Sequence, residues 1–136
     1  MRIAAAILTL LLAAAPALGA VPIDGRWLVE DGTAVIAVGR CGASTCGHIE
    51  RFVRVDPSRP HTDINNPDPA LRDRPFLGLA VLSGFADAGD AWRGRIYDPK
   101  SGRTYKSIVR RQPDGSLKVQ GCIAFICQTQ HWVPVK

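Results

Sequence analysis

Apolar and polar residues alternate along short stretches of this chain, and each stretch ends at residues that favour turns. Leu117 and Val119 share one side of a segment whose other side holds Lys118 and Gln120. Trp92 and Ile96 likewise oppose Arg93 and Arg95. A period of two puts alternate side chains on opposite faces, which suits a strand with one buried face. Asp24-Gly25, Asp31-Gly32, Cys41-Gly42, Asp98-Pro99, Ser101-Gly102 and Pro113-Asp114-Gly115 punctuate the pattern. Gly supplies positive φ, Pro fixes φ, and Asp bonds its own backbone, so these read as turns or strand breaks. The stretches between them predict eight strands, at 25–30, 33–41, 46–55, 77–85, 91–98, 103–111, 116–123 and 127–135. No segment keeps helical spacing over three turns. The third strand is ambiguous: either Ile49, Arg51 and Val53 face inward or Phe52 does. An inward Arg51 would need a partner and could orient an anionic ligand.

Eight strands joined mainly by hairpins form a meander. Closing it removes the unpaired edges that invite aggregation. The expected fold is therefore all-β: an eight-stranded antiparallel up-and-down barrel, with an open sandwich as second choice. Side chains can fill such an interior, or one small ligand can occupy it. One connection is long. From Asp56 to Pro75 the chain carries five prolines, at 57, 60, 67, 69 and 75. Missing N–H groups and fixed φ exclude a central strand or a continuous helix there. Only Pro69 to Asp73 has room for a helical turn. Long ordered loops in small domains are often functional, so the 56–75 loop is expected either to cover a barrel end or sheet edge or to bind a partner.

The first residues break the pattern. Met1-Arg2 leads into an apolar run from Ile3 to Ala15, interrupted only by Thr9, and then Pro16-Ala17-Leu18-Gly19-Ala20. A basic start, an apolar stretch and small residues at its end make a secretory signal. Cleavage is expected after Gly19, or after Ala20, giving a signal peptide, 1–19, and a single barrel domain, 20–136. The run is shorter than the roughly 20 residues that span a bilayer as a helix. No transmembrane span is expected in the mature protein, and its address is periplasmic or secreted. The 136 residues are 46% hydrophobic and 21% charged, which suits one packed domain and excludes a multidomain enzyme. The 17 basic residues exceed the 12 acidic ones only mildly and are not gathered in a tail. With export, nucleic acid is not an expected partner.

Export also gives the cysteines a meaning. Cys41 with Cys46 and Cys122 with Cys127 are two local pairs, each enclosing four residues. An oxidising compartment makes disulfides the default. Three pairings are possible, and pairing within each cluster is favoured because a hairpin brings such residues into bridging range. The second cluster has no glycine inside its loop, so its turn is less evident. Zinc is the competing reading, with His48 and His131 near the clusters, but it needs thiolates that oxidation removes.

The order Gly25-Arg26-Trp27, Asp31-Gly32, Cys41-Gly42, Cys46-Gly47, then Asn65-Asn66-Pro67-Asp68-Pro69-Ala70-Leu71-Arg72 and Leu77-Gly78-Leu79, is distinctive. Trp92, Ile96-Tyr97-Asp98-Pro99, Gly102, Tyr105 and a closing Gln130-His131-Trp132 follow. The chain resembles the bacterial exported family catalogued as domain of unknown function 2147, over essentially the whole mature part. The resemblance implies a lipocalin-like barrel and points to a fold more than to an activity. Gly25-x-Trp27 is also similar to the first-strand signature of lipocalins, whose tryptophan closes one barrel end. Unlike many lipocalins, this sequence has no evident helix after its last strand, which bears on the cavity size to expect.

Motifs for catalysis are missing. Gly-x-Ser-x-Gly and the phosphate-binding Gly-x-x-x-x-Gly-Lys-Ser/Thr do not occur, and His48, His61 and His131 are scattered. No catalytic residue, metal ligand or cofactor is expected, and the chain is not read as an enzyme. Asp63, Asp68 and Asp73 with Asn65 and Asn66 could hold calcium, but such side chains between prolines more often shape turns. Arg93/Arg95 and Arg110/Arg111 could form a positive patch for anionic envelope components, although a solvated face is the commoner role. The best pointer is the set Trp27, Trp92, Ile96, Tyr105, Gln130 and Trp132, at strand positions able to face inward. A mainly apolar pocket with a few polar groups suits a small apolar or amphipathic molecule. The rings can instead fill the core, the favoured role for Trp27. The expected function is ligand binding by an exported barrel. The alternative is a filled barrel that binds an envelope protein through its 56–75 loop.

Overall fold

Turn chemistry divides the chain where the pattern predicts. The computed structural model describes residues 10–14 and 18–136; the leader expected over 1–19 lies mostly outside them. The strands are β1 Gly25–Leu28, β2 Ala34–Cys41, β3 Ser44–Phe52, β4 Ala80–Asp87, β5 Trp92–Asp98, β6 Arg103–Arg111, β7 Leu117–Ile123 and β8 Ile126–Pro134. Each pairs antiparallel with the next, and β8 returns to β1 through Trp27↔Pro134 and Leu28↔Val133. The sheet is a closed eight-stranded barrel, so the sandwich is excluded. Between β3 and β4 the chain makes a single 3-10 turn, Pro69–Leu71, capped by the Asp68 side chain, which accepts from the Ala70 N–H. Among the described residues, no helix is long and apolar enough to cross a membrane.

Residues directly opposite on paired strands share a face. Trp92, Val109, Val119 and Gln130 therefore form one inner row across β5 to β8. Gly94, Ser107, Gly121 and Gln128 form the next, and Ile96 faces Tyr105 beyond it. Arg93 and Arg95 point outward and are exposed. On β3 the ambiguity is resolved by a register slip opposite Val35 and Ile36: Ile36 pairs with Ile49, but Val35 pairs with Arg51. Glu50 is the extra residue. Ile49 is buried, while Arg51 and Phe52 are exposed, so Arg51 is not an interior ligand-orienting cation.

The core is made by Trp27, Ile36, Leu82, Phe85, Val109, Leu117, Val119 and Trp132. Full burial of each such side chain contributes roughly 1.5–3 kcal/mol, the aromatic rings at the upper end. Gly94 is part of this packing, because a β-carbon there would lie 2.6 Å from the Phe85 ring. The Phe85 side chain occupies the space that any larger residue at 94 would need.

Candidate functional site

A meander sends its connections alternately to two ends of the barrel. The β2–β3, β4–β5 and β6–β7 hairpins lie at one end, with the segment that precedes β1. That end is sealed. The Trp27 indole N–H donates to the Ile23 carbonyl at 3.0 Å, and the Trp92 indole N–H to the Val21 carbonyl at 2.9 Å. The Arg111 guanidinium lies 5.1 Å from the centre of the Trp27 ring and donates to the Pro22 carbonyl. Asp87 accepts from the Ala20 N–H through both carboxylate oxygens, at 2.9 and 3.1 Å. The Ala20 and Gly89 N–H groups hold the Asp87 carboxyl below its ordinary pKa.

Above this seal the inner face is less covered along β8. Gln128 and Gln130 belong to the inner face yet are exposed, and Ile96 and Tyr105 are half-buried. The physical reason lies in strand length. β1 pairs with β8 only at Val133 and Pro134, so the rest of β8 has no strand on that side. A β-carbon on Gly121 would lie 3.3 Å from Ile96 Cγ2 and 3.8 Å from Tyr105 Cβ, so glycine there lets Ile96 pack close against β7. The Gln130 amide oxygen accepts from the Trp132 indole N–H at 2.9 Å. The six residues singled out in the sequence thus divide. Trp27, Trp92 and Trp132 belong to the sealed, packed half, with Trp27 and Trp132 fully buried. Ile96, Tyr105 and Gln130 border the accessible half.

At the other end, β6 runs past β7, whose pairing with it begins only at Lys106↔Cys122. A groove of about 650 Å³ opens there, lined among others by Arg95, Arg103, Tyr105, Lys106, Ile123 and Ala124. Arg95, Lys106 and Cys122 form one outward-facing cross-strand row of this groove, and Tyr105 of the inner face borders it.

The long loop is fastened beside that groove by an anchor that sequence reasoning missed. Asp63 is fully buried. It accepts from the Tyr97 hydroxyl, from Asn66 Nδ2 at 2.8 Å and from Arg74 Nε at 2.9 Å. Burial raises the Asp63 pKa, but the hydrogen bonds from Tyr97, Asn66 and Arg74, with the Arg74 charge, outweigh it and hold the carboxyl below the usual range. Burial and the adjacent carboxylate push the Tyr97 hydroxyl up. Asn65 Nδ2 donates to the Lys100 carbonyl at 3.0 Å. A β-carbon on Gly102, whose φ is 70°, would overlap the Asn65 carbonyl. Asp68 and Asn66 shape turns, as Asx side chains do. The only sequence signal for the anchor was an acidic residue set among prolines.

Both cysteine pairs bond internally, Cys41 to Cys46 and Cys122 to Cys127, with Cα separations of 5.8 and 4.1 Å. His48 Nδ1 lies 3.6 Å from Cys46 Sγ. Among the described residues, Cys41, Cys46 and His48 make the one close grouping of three candidate metal ligands. With both sulfurs in a disulfide, the thiolates that zinc requires are absent.

A closed eight-strand meander, sealed at one end by a tryptophan at the start of its first strand, defines a lipocalin-like barrel. The chain belongs to the family described as "Uncharacterized protein conserved in bacteria (DUF2147)", whose model matches residues 25–133. Among solved structures it is similar to one described as "Protein HP1028 from the human pathogen Helicobacter pylori belongs to the lipocalin family". The two share 21% identity with a TM-score of 0.73, over 85% of this chain and 84% of that one. No curated protein matches the chain.

Proposed function

We propose that this protein is an exported lipocalin-like barrel that takes up a small apolar or amphipathic molecule and performs no chemistry on it. One observation carries the reading: Ile96, Tyr105, Gln128 and Gln130 lie on the inner face of a closed barrel and still reach solvent. An interior packed throughout would bury them, as it buries Val109, Val119 and Trp132. An apolar wall with a phenol and two amides suits a ligand with a hydrophobic body and a polar group. Likeness to a lipocalin adds support by analogy of fold alone. The perturbed pair Asp63 and Tyr97 is internally satisfied, and Tyr97 follows Ile96 on the opposite face of β5, which favours binding over catalysis.

Two features support export. Two disulfides suit an oxidising compartment. The Ala20 nitrogen also lies against both Asp87 carboxylate oxygens, so cleavage after Gly19 would set a new α-ammonium on a carboxylate. Native mass spectrometry of the protein recovered from its own host tests the binding reading, together with titration of an apolar fluorescent probe. A saturable one-to-one complex is expected. A folded protein with no co-purifying molecule and no probe binding would refute it.

A second reading keeps the 56–75 loop as a docking surface for an envelope protein. Exposed Ile64 and Leu71 on a loop held by the Asp63 anchor favour it. Photo-crosslinking from position 64 in cells tests it, and absence of any specific adduct would remove it.

A further inference from the structure

The β7–β8 hairpin presents an arrangement that neither packing nor a small interior ligand explains. Ile123 pairs with Ile126, leaving Ala124 and Phe125 as a two-residue turn. Turns of this length favour glycine or a small polar residue where φ is positive, yet Ala124 adopts a φ of 52° and Phe125 follows it. Ile123, Phe125 and Ile126 are 63%, 92% and 69% exposed. The Cys122–Cys127 disulfide closes the hairpin directly beneath them, so the apolar tip is held out from the barrel. Exposed apolar side chains clustered at one projection mark an interaction surface.

The groove beside the tip has its own unexplained charge. Arg95, Arg103 and Lys106 line it together with Ile123, and no acidic residue does. Arg95 and Lys106 are direct cross-strand neighbours. Like charges so placed repel and destabilise the sheet. Among the described residues, none of the three makes a salt bridge, whereas Arg26, Arg59, Arg74, Lys100 and Arg110 each do. An external polyanion would relieve that repulsion.

We propose that this face docks on an anionic lipid bilayer: Phe125 and its isoleucine neighbours enter the interface while Arg95, Arg103 and Lys106 meet the headgroups. A projecting apolar tip flanked on its β6 side by cations that make no salt bridge is the chemistry of interfacial attachment, in which buried apolar area and attraction to anionic lipid add together. This goes beyond the binding reading and stands without it, since nothing in the argument uses the interior.

The test is flotation of the exported protein, its N-terminus defined by mass spectrometry, with vesicles of phosphatidylcholine with and without phosphatidylglycerol. Binding is expected only with the anionic lipid and is expected to fall with salt. Replacing Arg95, Arg103 and Lys106 together by Gln should weaken it on the order of 100-fold, given roughly 1 kcal/mol per basic residue near such a surface. Phe125→Ser should weaken it about tenfold, and unchanged thermal melts would show that both variants fold. In a Phe125→Trp variant, emission beyond that of the native tryptophans should move to the blue on anionic vesicles. Equal binding to neutral vesicles, equal binding by the Gln and Ser variants, or an unmoved emission from the Phe125→Trp variant would each overturn the proposal. So would a self-associating protein that ignores vesicles and becomes monomeric on Phe125→Ser, since the tip would then be an interface between two copies.

Discussion

The two ends of the barrel solve opposite problems with the same kind of residue. At the sealed end every indole N–H is satisfied, Trp27 by the Ile23 carbonyl, Trp92 by the Val21 carbonyl and Trp132 by the Gln130 amide oxygen. Main chain and a stacked Arg111 close off the interior there. At the other end Phe125 has no such cover, Tyr105 is half-buried, and the longest loop is anchored at Asp63 to Tyr97. The difference teaches where stability resides and where aromatic and basic side chains stay accessible. Satisfied indoles and packed aliphatic residues hold the fold, while accessible aromatics and unpaired cations are left where a ligand or surface can meet them.

The largest effect should come from breaking the seal. Trp27→Ala removes a fully buried indole and should lower stability by roughly 3–5 kcal/mol in denaturant melts. A loss under about 1 kcal/mol would mean the end is not closed by packing. Damage at the other end should be smaller and local. Asp63→Ala leaves Tyr97, Asn66 and Arg74 without their common acceptor and should cost about 1–3 kcal/mol. Proteolysis within residues 53–79 should rise before the barrel melts. Gly102→Ala should act similarly, because the new β-carbon meets the Asn65 carbonyl at a positive φ, costing on the order of 1–3 kcal/mol.

The anchor also sets a pH window. Asp63 has a folded pKa below its unfolded value, so its stabilisation is present above the ordinary aspartate value of about 3.9 and is lost as pH falls through the lower folded value. Tyr97 has a folded pKa above its unfolded value, so its contribution is present below about 10 and is lost as pH rises through the higher folded value. Protease sensitivity of the loop should therefore rise at both extremes, and Asp63→Asn should remove the acid limb. Phe125→Ser should be the mildest change to stability, within about 0.5 kcal/mol, because the residue is 92% exposed.

The strands were legible because alternation is local: Trp92 and Ile96 against Arg93 and Arg95 needs only a few residues to read. The exceptions are positions where an extra residue interrupts the alternation. The slip opposite Val35 and Ile36 made β3 ambiguous, since the pattern cannot show which strand carries the extra residue. The site was less legible because it depends on distant partners. Asp63 and Tyr97 lie 34 residues apart in sequence, so nothing near Asp63 announces its burial. Trp92 reads correctly as inward, yet its place at the sealed end is set by Val21, 71 residues away. Closure between β1 and β8 followed from strand count, but not that β1 is too short to cover β8.

The central claim, that the interior is packed below and open along β8, is tested most directly by filling the open part. Gln130 lies on the inner face and is exposed. Gln130→Trp should keep a cooperative thermal melt, lowered by about 1–3 kcal/mol because the Trp132 indole N–H loses its acceptor, and should abolish the saturable one-to-one binding of an amphipathic fluorescent probe that is expected of the wild-type protein. Undiminished probe binding by a folded Gln130→Trp variant would contradict the account and remove the interior as the binding site.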